Sequence, residues 1–376
     1  MQAAQVPSFC NKLQPTREAA LAVSRGDLDM RFCHRCAHLF NAAFDAQLMN
    51  YKEGNYDNSL HGSAVFRQYA QDLASELVER HDLHRKRIIE IGSGRAEFLA
   101  LLAEKGENAA VGFEPSLAGR ETPATRCGSV EIIPSYFGPA HKHRRADFVV
   151  CRHVLEHVEA PVEFIKMATG LLIENSQCGF YFEVPNALYT LRDLGIWDLI
   201  YEHVSYFSPV SARRSFHRSG LPDAMVRERF GGQYLGIEGT TPIIAENATD
   251  DDAGEIAEIG VLANSFGDRF QAKKEFWQKR LAAANERNQK VVLWGAGSKG
   301  VTFLNFLNLD REVAFVVDLN TAKHSHFVPG TAQQIVPPEA LREVQPDLVI
   351  IMNPNYEREI RTILGGMDVQ SEISLA

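Results

Sequence analysis

Short runs of apolar residues alternate with stretches of helical period along much of this chain. In residues 87–115, Ile88, Ile89 and Ile91 form a run that stops at a glycine, and a second run covers 111–113. Between the two runs the apolar positions recur every three or four residues, which is the period of a helix packed on one face. Short continuous runs suit strands of a parallel sheet that is buried on both faces. The pattern predicts a strand, a glycine turn, a helix and a second strand.

The same alternation continues towards the C-terminus. Apolar runs at 146–151 and 180–184 predict two further strands, and runs at 291–294, 313–317 and 349–352 predict a second set. Strands that alternate with helices form a doubly wound α/β sheet. We therefore predict an α/β protein with a Rossmann-like doubly wound sheet and a second, smaller Rossmann-like domain.

The chemistry of the first glycine turn favours a cationic nucleotide ligand. Gly92 and Gly94 let the backbone approach a ligand, and Glu114 stands about 20 residues on, where such folds hold ribose hydroxyls. Glu97 takes the place of the third glycine of a dinucleotide-binding turn, and its carboxylate would repel a pyrophosphate. Glu90 suits the sulfonium and the ammonium group of S-adenosylmethionine. Another nucleotide, or no ligand at all, is the alternative.

The predicted cofactor site includes neighbouring residues and the end of the next strand. In open α/β sheets, ligands bind at the carboxyl ends of the strands. The predicted cofactor-binding residues are Glu90, Gly92, Ser93, Gly94, Glu114, Pro115, Arg152 and His153.

A second glycine turn lies at 295–300, between the predicted strand 291–294 and the acid Asp318. It matches the Gly-x-Gly-x-x-Gly pattern, and Lys299 would suit a phosphate. The pattern alone is a weak indicator of a dinucleotide site. A dinucleotide, a nucleotide group of the substrate and no ligand therefore all stay open.

A histidine, an acid and two tyrosines stand together in residues 201–206. A histidine with a pKa of about 6.5 removes protons near neutral pH, and a neighbouring acid or phenol orients it or holds an enolate. His203 is the candidate base, with Glu202, Tyr201 and the earlier Tyr56 as candidate catalytic partners. The alternative is a core histidine whose hydrogen bonds are satisfied.

Residues 1–50 contain a Cys-x-x-Cys pair, Cys33 and Cys36, which are candidate metal ligands. A zinc site needs about four ligands. Further candidates are Cys10, His34 and His38. Two free thiols are the alternative, and a redox role is less favoured because no thioredoxin-like pattern surrounds the pair.

Composition and charge argue against several classes of protein. The 376 residues carry a net charge of −9, which argues against general binding to nucleic acid or to an anionic membrane. No apolar run approaches the ~18 residues of a membrane span, and residues 1–7 lack the features of a secretory signal. Six cysteines in a chain of this length suggest reduced thiols. We expect a cytoplasmic protein with a small-molecule substrate.

Several motifs together resemble the sugar C-methyltransferase family, whose members use S-adenosylmethionine. The stretch from Glu90 to Gly94 is similar to motif I of class I methyltransferases, with Ala96 where a third glycine is often found. The other matching segments are 54–59, which keeps part of a Tyr-x-Tyr-x-Ser-Ser motif, 202–207 (Glu-His-x-Ser-Tyr-Phe), 295–300 (Gly-Ala-x-x-Lys-Gly) and 328–331 (Val-Pro-Gly-Thr).

The resemblance covers nearly the whole chain and implies its organisation. It implies a cysteine module at 1–50, an S-adenosylmethionine domain at 51–264, a linking helix at 265–288 and a Rossmann-like domain at 289–376. His203 matches the family's general base, whereas the family's preceding tyrosine is shifted by one residue to Tyr201. The family binds zinc with two Cys-x-x-Cys knuckles, and only the second is present here.

The activity that this resemblance implies is methylation of carbon next to a ketone on a nucleotide-linked deoxysugar. The alternatives are an O- or N-methyltransferase that acts on another small metabolite, and a non-catalytic nucleotide-binding protein. An enzyme is expected to gather Tyr56, Glu202 and His203 at one site, which a sensor need not do.

Overall fold

The computed structural model describes residues 1–51, 56–117, 123–173, 178–241, 252–309 and 311–376. Within these residues the strands form three sheets, in the order in which the sequence predicts an N-terminal module and two Rossmann-like units. None of the described helices combines the length and the apolar character that crossing a membrane would require.

The first sheet is antiparallel and belongs mainly to the N-terminal module, which also contains helix α1 (Arg17–Leu21). Its strands, in spatial order, are β1 (Gln2–Pro7), β2 (Arg25–Cys33), β3 (His38–Asn41) and β9 (Ser205–Tyr206). The fourth strand thus comes from the predicted catalytic segment, far along the chain. The N-terminal module therefore holds that segment in place through backbone pairing.

The central sheet has seven strands. In spatial order they are β10 (Met225–Arg229), β11 (Tyr234–Thr241), β8 (Cys178–Pro185), β7 (Phe148–Arg152), β4 (Arg87–Ile91), β5 (Ala109–Phe113) and β6 (Ser129–Ile133). The five strands from β8 to β6 are parallel, whereas β11 is antiparallel to both of its neighbours. The chain reverses its direction of winding at β4, so a crevice forms at the carboxyl ends of β4 and β7.

Helices cover both faces of the central sheet. Buried residues of α2 (Ala64–Arg80) and α3 (Glu97–Gly106) pack on one face, and those of α4 (Pro161–Thr169) and α6 (Pro209–Arg218) pack on the other. The helix α5 (Ala187–Arg192) follows β8 and packs towards the N-terminal module.

The third sheet is fully parallel. Its strands, in spatial order, are β14 (Ile335–Val336), β13 (Phe315–Val317), β12 (Val291–Trp294), β15 (Leu348–Ile351) and β16 (Glu372–Leu375). Helix α8 (Ser298–Leu307) lies on one face, and α9 (Leu341–Val344) and α10 (Glu357–Gly365) lie on the other. This is the second Rossmann-like unit that the sequence predicts.

A single long helix, α7 (Ala253–Glu286), connects the central and C-terminal sheets. It begins earlier than the predicted linking helix at 265–288. Phe266, Phe270 and Trp277 are buried on it, as its apolar period predicts. They share one core with the N-terminal module and with α8. The helix therefore packs the outer units against each other as well as connecting them in sequence.

Candidate active site

The first glycine turn has the backbone conformation that its sequence predicts. Gly92 and Gly94 have φ angles of +72° and +51°, in the region that glycine adopts most easily. A Cβ at Gly92 would also lie 2.2 Å from a methyl carbon of Val154. Ala96, in place of a third glycine, takes the same left-handed conformation at φ +60°, where a side chain costs energy.

Glu114 lies against this turn from the end of β5. Its Oε2 accepts a hydrogen bond from the Gly94 N–H (3.0 Å), and its Oε1 accepts one from the Ser116 N–H (3.0 Å). Pro115 begins the short turn Pro115–Leu117 that follows. The carboxylate of Glu114 therefore stands at the mouth of the turn, where the sequence predicts contact with ribose hydroxyls.

Glu90 lies beneath the turn in β4 and is buried. Its Oε2 has no hydrogen-bond partner. Burial raises the pKa of Glu90 to about 8, the Arg152 guanidinium works in the opposite direction, and Glu114 and Glu183 add to the rise. A cationic ligand would stabilise the ionised form and supply the missing partner. The site therefore fits a ligand with a sulfonium and an ammonium group.

Ser93 is also part of the turn, and its hydroxyl is buried without a hydrogen-bond partner. The β5 residue that faces it is Gly112, where a Cβ would come within 2.5 Å of the Ser93 Oγ. The turn thus requires a glycine on the neighbouring strand as well as its own glycines.

Arg152, a predicted cofactor-binding residue at the end of β7, is buried and paired inside the protein. Its Nε and one terminal nitrogen donate to Glu183 Oε1 (3.0 and 2.9 Å), and its guanidinium lies 4.1 Å from the ring centroid of Phe98. Tyr69 and Tyr181 donate to the other oxygen of Glu183. The structure thus places Arg152 in a buried ion pair between β7 and β8.

His153, which follows β7, lies between two carboxylates. Its Nε2 is 3.1 Å from Glu183 Oε1, and its Nδ1 is 3.7 Å from Glu156 Oε1. Burial lowers the pKa of His153, but these two carboxylates outweigh it and raise the pKa to about 9. His153 is therefore a cation at neutral pH.

Tyr56 and Glu202, far apart in sequence, meet in the structure. The Tyr56 hydroxyl donates to Glu202 Oε2 (3.0 Å), and the Cys10 N–H donates to Glu202 Oε1 (2.7 Å). Burial, and then the charge of Glu202, raise the pKa of Tyr56 well above its usual value, so its phenol stays protonated. The neighbouring Gly54 and Asn55 of the tyrosine motif lie outside the described residues.

His203 follows Glu202 directly in the chain, and its side chain is buried. Burial lowers the pKa of His203 well below its usual value, and the positive charges of nearby groups lower it further. Its Nδ1 is buried without a hydrogen-bond partner. Tyr201 points into the N-terminal module, where its hydroxyl accepts from the Asp45 N–H (2.8 Å) and its ring stacks on Phe44. Tyr201 therefore contributes packing at a distance from the candidate base.

Two residues that the sequence analysis did not single out complete the group around His203. Glu156 Oε1 lies 4.0 Å from His203 Nε2, and the His157 ring lies 4.9 Å from the His203 ring, centroid to centroid. The His157 Nδ1 lies 2.8 Å from the Glu202 carbonyl oxygen and 3.1 Å from the Tyr51 hydroxyl. Their position directly after β7, at the carboxyl edge of the sheet, is the signal that could have identified them.

Ligand atoms of Glu156, His157 and His203 lie within 4.8 Å of one another, and these are side-chain types that also bind metals. In the described part of the chain, the Cys-x-x-Cys pair has no such group around it. Cys33 and Cys36 lie in the turn between β2 and β3, and among the described residues no third Cys, His, Asp or Glu forms such a group with them. Cys10 is buried elsewhere, against Glu202. The residues present therefore fit only half of a tetrahedral zinc site.

We expect the purified protein to hold no zinc tightly, because two thiolates supply half of the ligands that a structural site needs. Elemental analysis after dialysis against a chelator measures this directly. One zinc ion per chain that survives dialysis and disappears in Cys33→Ser would contradict the expectation.

The second glycine turn is occupied by contacts from its own chain. Asp318 Oδ2 accepts from the Ala296 N–H (2.8 Å), and the buried Lys323 ammonium donates to the Ala296 carbonyl oxygen (3.1 Å). Lys299, the predicted phosphate ligand, pairs with Asp198. The Ser298 hydroxyl accepts from the Asn11 side chain (2.9 Å). These contacts join the turn to the N-terminal module and to the segment after α5.

Both Rossmann-like units match families of known protein domains. Residues 62–223 match the family of methyltransferase domains, and residues 236–369 match the C-methyltransferase C-terminal domain. The C-methyltransferase NovU of Streptomyces niveus is 26% identical over 357 residues, covering 89% of this chain and 81% of that protein. The chain is therefore similar to C-methyltransferases over most of its length. It is an S-adenosylmethionine-dependent methyltransferase, and its central sheet is the class I Rossmann-like fold.

Solved structures of methyltransferases are similar to only part of this chain. Magnesium protoporphyrin IX methyltransferase from Synechocystis PCC 6803, with bound SAH, is 13% identical with a TM-score of 0.36, covering 47% of this chain and 83% of that one. A 1,6-didemethyltoxoflavin-N1-methyltransferase from Burkholderia thailandensis is 16% identical with a TM-score of 0.35, covering 48% and 82%. The similarity to C-methyltransferases rests on the sequence matches alone.

In this methyltransferase, we expect Glu114→Ala to weaken S-adenosylmethionine binding by at least ~1 kcal/mol, the scale of one hydrogen bond to a charged group. The reason is the position of its carboxylate at the mouth of the turn. Calorimetric titration measures the affinity, and Glu131→Ala, on exposed β6, is the control. An unchanged affinity in Glu114→Ala would remove Glu114 from the site.

Proposed function

We propose that this enzyme methylates a carbon atom next to a ketone on a nucleotide-linked deoxysugar, with His203 as the general base. The observation that carries the proposal is the state of His203 itself. It is buried, it is kept neutral by its surroundings, and one ring nitrogen has no partner. A core histidine with satisfied hydrogen bonds would not leave that nitrogen free.

Carbon methylation needs such a base more than oxygen methylation does. A C–H next to a ketone is weakly acidic, so the nucleophile forms only when a positioned base removes its proton. When bound, S-adenosylmethionine supplies the electrophilic methyl group. A neutral imidazole is ready to accept a proton at neutral pH, whereas an imidazolium is not.

Tyr56 and Glu202 are proposed to orient the substrate at this base. The Tyr56 hydroxyl is protonated and donates to Glu202, and it would stabilise an oxyanion by turning its one proton from that carboxylate to the substrate. Glu202 also ties the segment that carries His203 to the N-terminal module. Preorganisation of this kind supplies much of the acceleration in a reaction between two bound molecules.

The nucleotide-linked sugar is proposed from the resemblance of four segments to the sugar C-methyltransferases: 54–59, 202–207, 295–300 and 328–331. The family match to a C-methyltransferase C-terminal domain supports the class of reaction. We propose a cytoplasmic location, and the described cysteines, Cys10, Cys33, Cys36, Cys127 and Cys151, are free, which is consistent with a reducing compartment.

The experiment that tests the proposal incubates the protein with S-adenosylhomocysteine and a keto-deoxysugar nucleotide in deuterated water. We expect the proton next to the ketone to exchange with deuterium, and S-adenosylmethionine to yield a product with a new carbon–carbon bond. If no keto-sugar nucleotide exchanges or gains methyl while a hydroxyl or amine acceptor does, the enzyme is an O- or N-methyltransferase instead.

A further inference from the structure

The carboxylate of Glu156 lies in this site but has no role in the reaction described above. The side chain is buried directly after β7, and its Oε2 has no hydrogen-bond partner. Its Oε1 lies between two imidazoles, 3.7 Å from His153 Nδ1 and 4.0 Å from His203 Nε2. Burying a carboxylate costs folding free energy unless the carboxylate is paired. The position of Glu156 next to two histidines therefore indicates a functional role.

Glu202, although next to His203 in sequence, is not placed to serve the imidazole. Its two carboxylate oxygens accept from the Cys10 N–H and the Tyr56 hydroxyl. Both carboxylate oxygens of Glu202 are therefore occupied by contacts other than the imidazole. The carboxylate that faces the His203 ring comes instead from another loop.

We propose that Glu156 is the positioning residue for His203: it accepts the Nε2–H of the ring, leaves Nδ1 as the basic nitrogen and stabilises the imidazolium that forms. This inference rests on the proposed role of His203 as the base. The 4.0 Å separation is longer than a hydrogen bond, and catalytic hydrogen bonds are often long without substrate and tighten in the substrate complex. The unpartnered Nδ1 is then the atom that faces the reaction.

The surrounding charges explain why a carboxylate is needed at this place. Burial disfavours a proton on His203 most, and His157, His153 and Lys299 act in the same direction. Tyr206, whose ring lies 5.6 Å from that of His203, is neutral. With Glu156 ionised, the buried charges alternate in sign, in the order Arg152, Glu183, His153, Glu156 and protonated His203. Without it, two imidazolium groups would face each other.

The proton and the electrons balance without a further reactant. The His203 Nδ1 takes the proton next to the ketone, and the electron pair of that C–H bond becomes the enolate. The enolate carbon forms a bond to the methyl carbon as the bond from that carbon to sulfur breaks. The proton on His203 then leaves to water, and the carboxylate of Glu156 stays ionised throughout.

The test compares Glu156→Gln with Glu159→Gln, which removes the same charge from an exposed position on the same loop. We expect Glu156→Gln to slow both deuterium exchange and methyl transfer about 10- to 100-fold, less than the loss of the base itself. S-adenosylmethionine affinity and the KM for the sugar nucleotide should stay within about threefold. Glu156→Asp should restore part of the rate, and Glu159→Gln should behave as the parent protein.

A double variant shows whether Glu156 acts through His203. In a His203→Gln background, adding Glu156→Gln should cost no further activity, because residues that act as a unit are not additive. Equal costs in both backgrounds would indicate a purely structural role and overturn the proposal. So would an exchange rate in Glu156→Gln equal to that of the parent protein, or loss of the parent's activity on dialysis against a chelator.

Failure of this inference is distinguishable from failure of the proposed function. If the parent protein exchanges the proton and Glu156→Gln does so at the same rate, only the role of Glu156 is wrong. If the parent exchanges no proton with any keto-sugar nucleotide, the base function fails and the role of Glu156 falls with it.

Discussion

Replacing His203 with glutamine is expected to lower methyl transfer by about 10²- to 10⁴-fold, the usual contribution of a general base. Glutamine keeps a polar side chain of similar reach but cannot accept a proton from carbon. S-adenosylmethionine binding should be unchanged, because the glycine turn and Glu114 lie on a different loop. Deuterium exchange next to the ketone should disappear together with methyl transfer.

Exchange measured by NMR and affinity measured by calorimetry separate these effects. His84→Gln, in the exposed turn after α2, is the control for loss of an imidazole. An unchanged exchange rate in His203→Gln would place the base elsewhere, with Tyr56 as the next candidate. In the parent protein, activity should fall as pH drops through the lowered pKa of His203, because protonation removes the base.

Replacing Arg152 with methionine is expected to destabilise the fold by about 3–5 kcal/mol, because it removes one partner of a buried ion pair. Glu183 is fully buried and would keep its negative charge without the guanidinium that faces it. Burial raises the pKa of Glu183, but Arg152, His153 and Tyr69 outweigh burial and hold the pKa well below its usual range.

Urea unfolding at neutral pH measures the change, with Arg85→Met as the control. Arg85 forms an exposed pair with Glu107, and such pairs contribute about 0–1 kcal/mol. The double variant Arg152→Met/Glu183→Gln should regain stability relative to Arg152→Met, because the uncompensated charge is gone while the tyrosines keep an acceptor. A loss in Arg152→Met no larger than in Arg85→Met would contradict this account.

The pH dependence follows from the sign of the Glu183 shift. A carboxyl whose pKa is lowered in the folded state stabilises the fold above its unfolded pKa of about 4.3 and loses that contribution as pH falls. The parent protein therefore loses more stability on acidification than Arg152→Met does. The difference between the two should narrow below about pH 4.

The strands, the glycine turns and the order of the units follow from local features of the sequence. The apolar run before Gly92 becomes β4, the run before Glu114 becomes β5, and the two are parallel neighbours. Glu114 reaches the turn as its spacing predicts, since a strand–turn–helix–strand unit returns its second strand beside its first. The period of α7 likewise identifies which of its side chains are buried.

Contacts between distant segments could not be predicted in the same way. Glu202 meets both Tyr56 and the Cys10 backbone, and β9 pairs with β3, because the N-terminal module folds against the central sheet. Tyr201, the neighbour of Glu202, faces the other side of the segment and packs on Phe44. The spacing of residues along the chain does not show which of two adjacent side chains will face the site. That depends on how the N-terminal module packs against the segment.

The sequence by itself therefore determined the α/β class, the two Rossmann-like units and the cofactor turn, because each depends on residues within one supersecondary unit. Only the tertiary structure decided that Glu156 faces His203, that Arg152 is buried against Glu183, and that Lys299 pairs with Asp198. The physical reason is that side-chain partners across a sheet edge depend on how loops from different strands converge. Burial then makes the pairing of Arg152 with Glu183 strong enough to hold the pKa of that carboxyl well below its usual range.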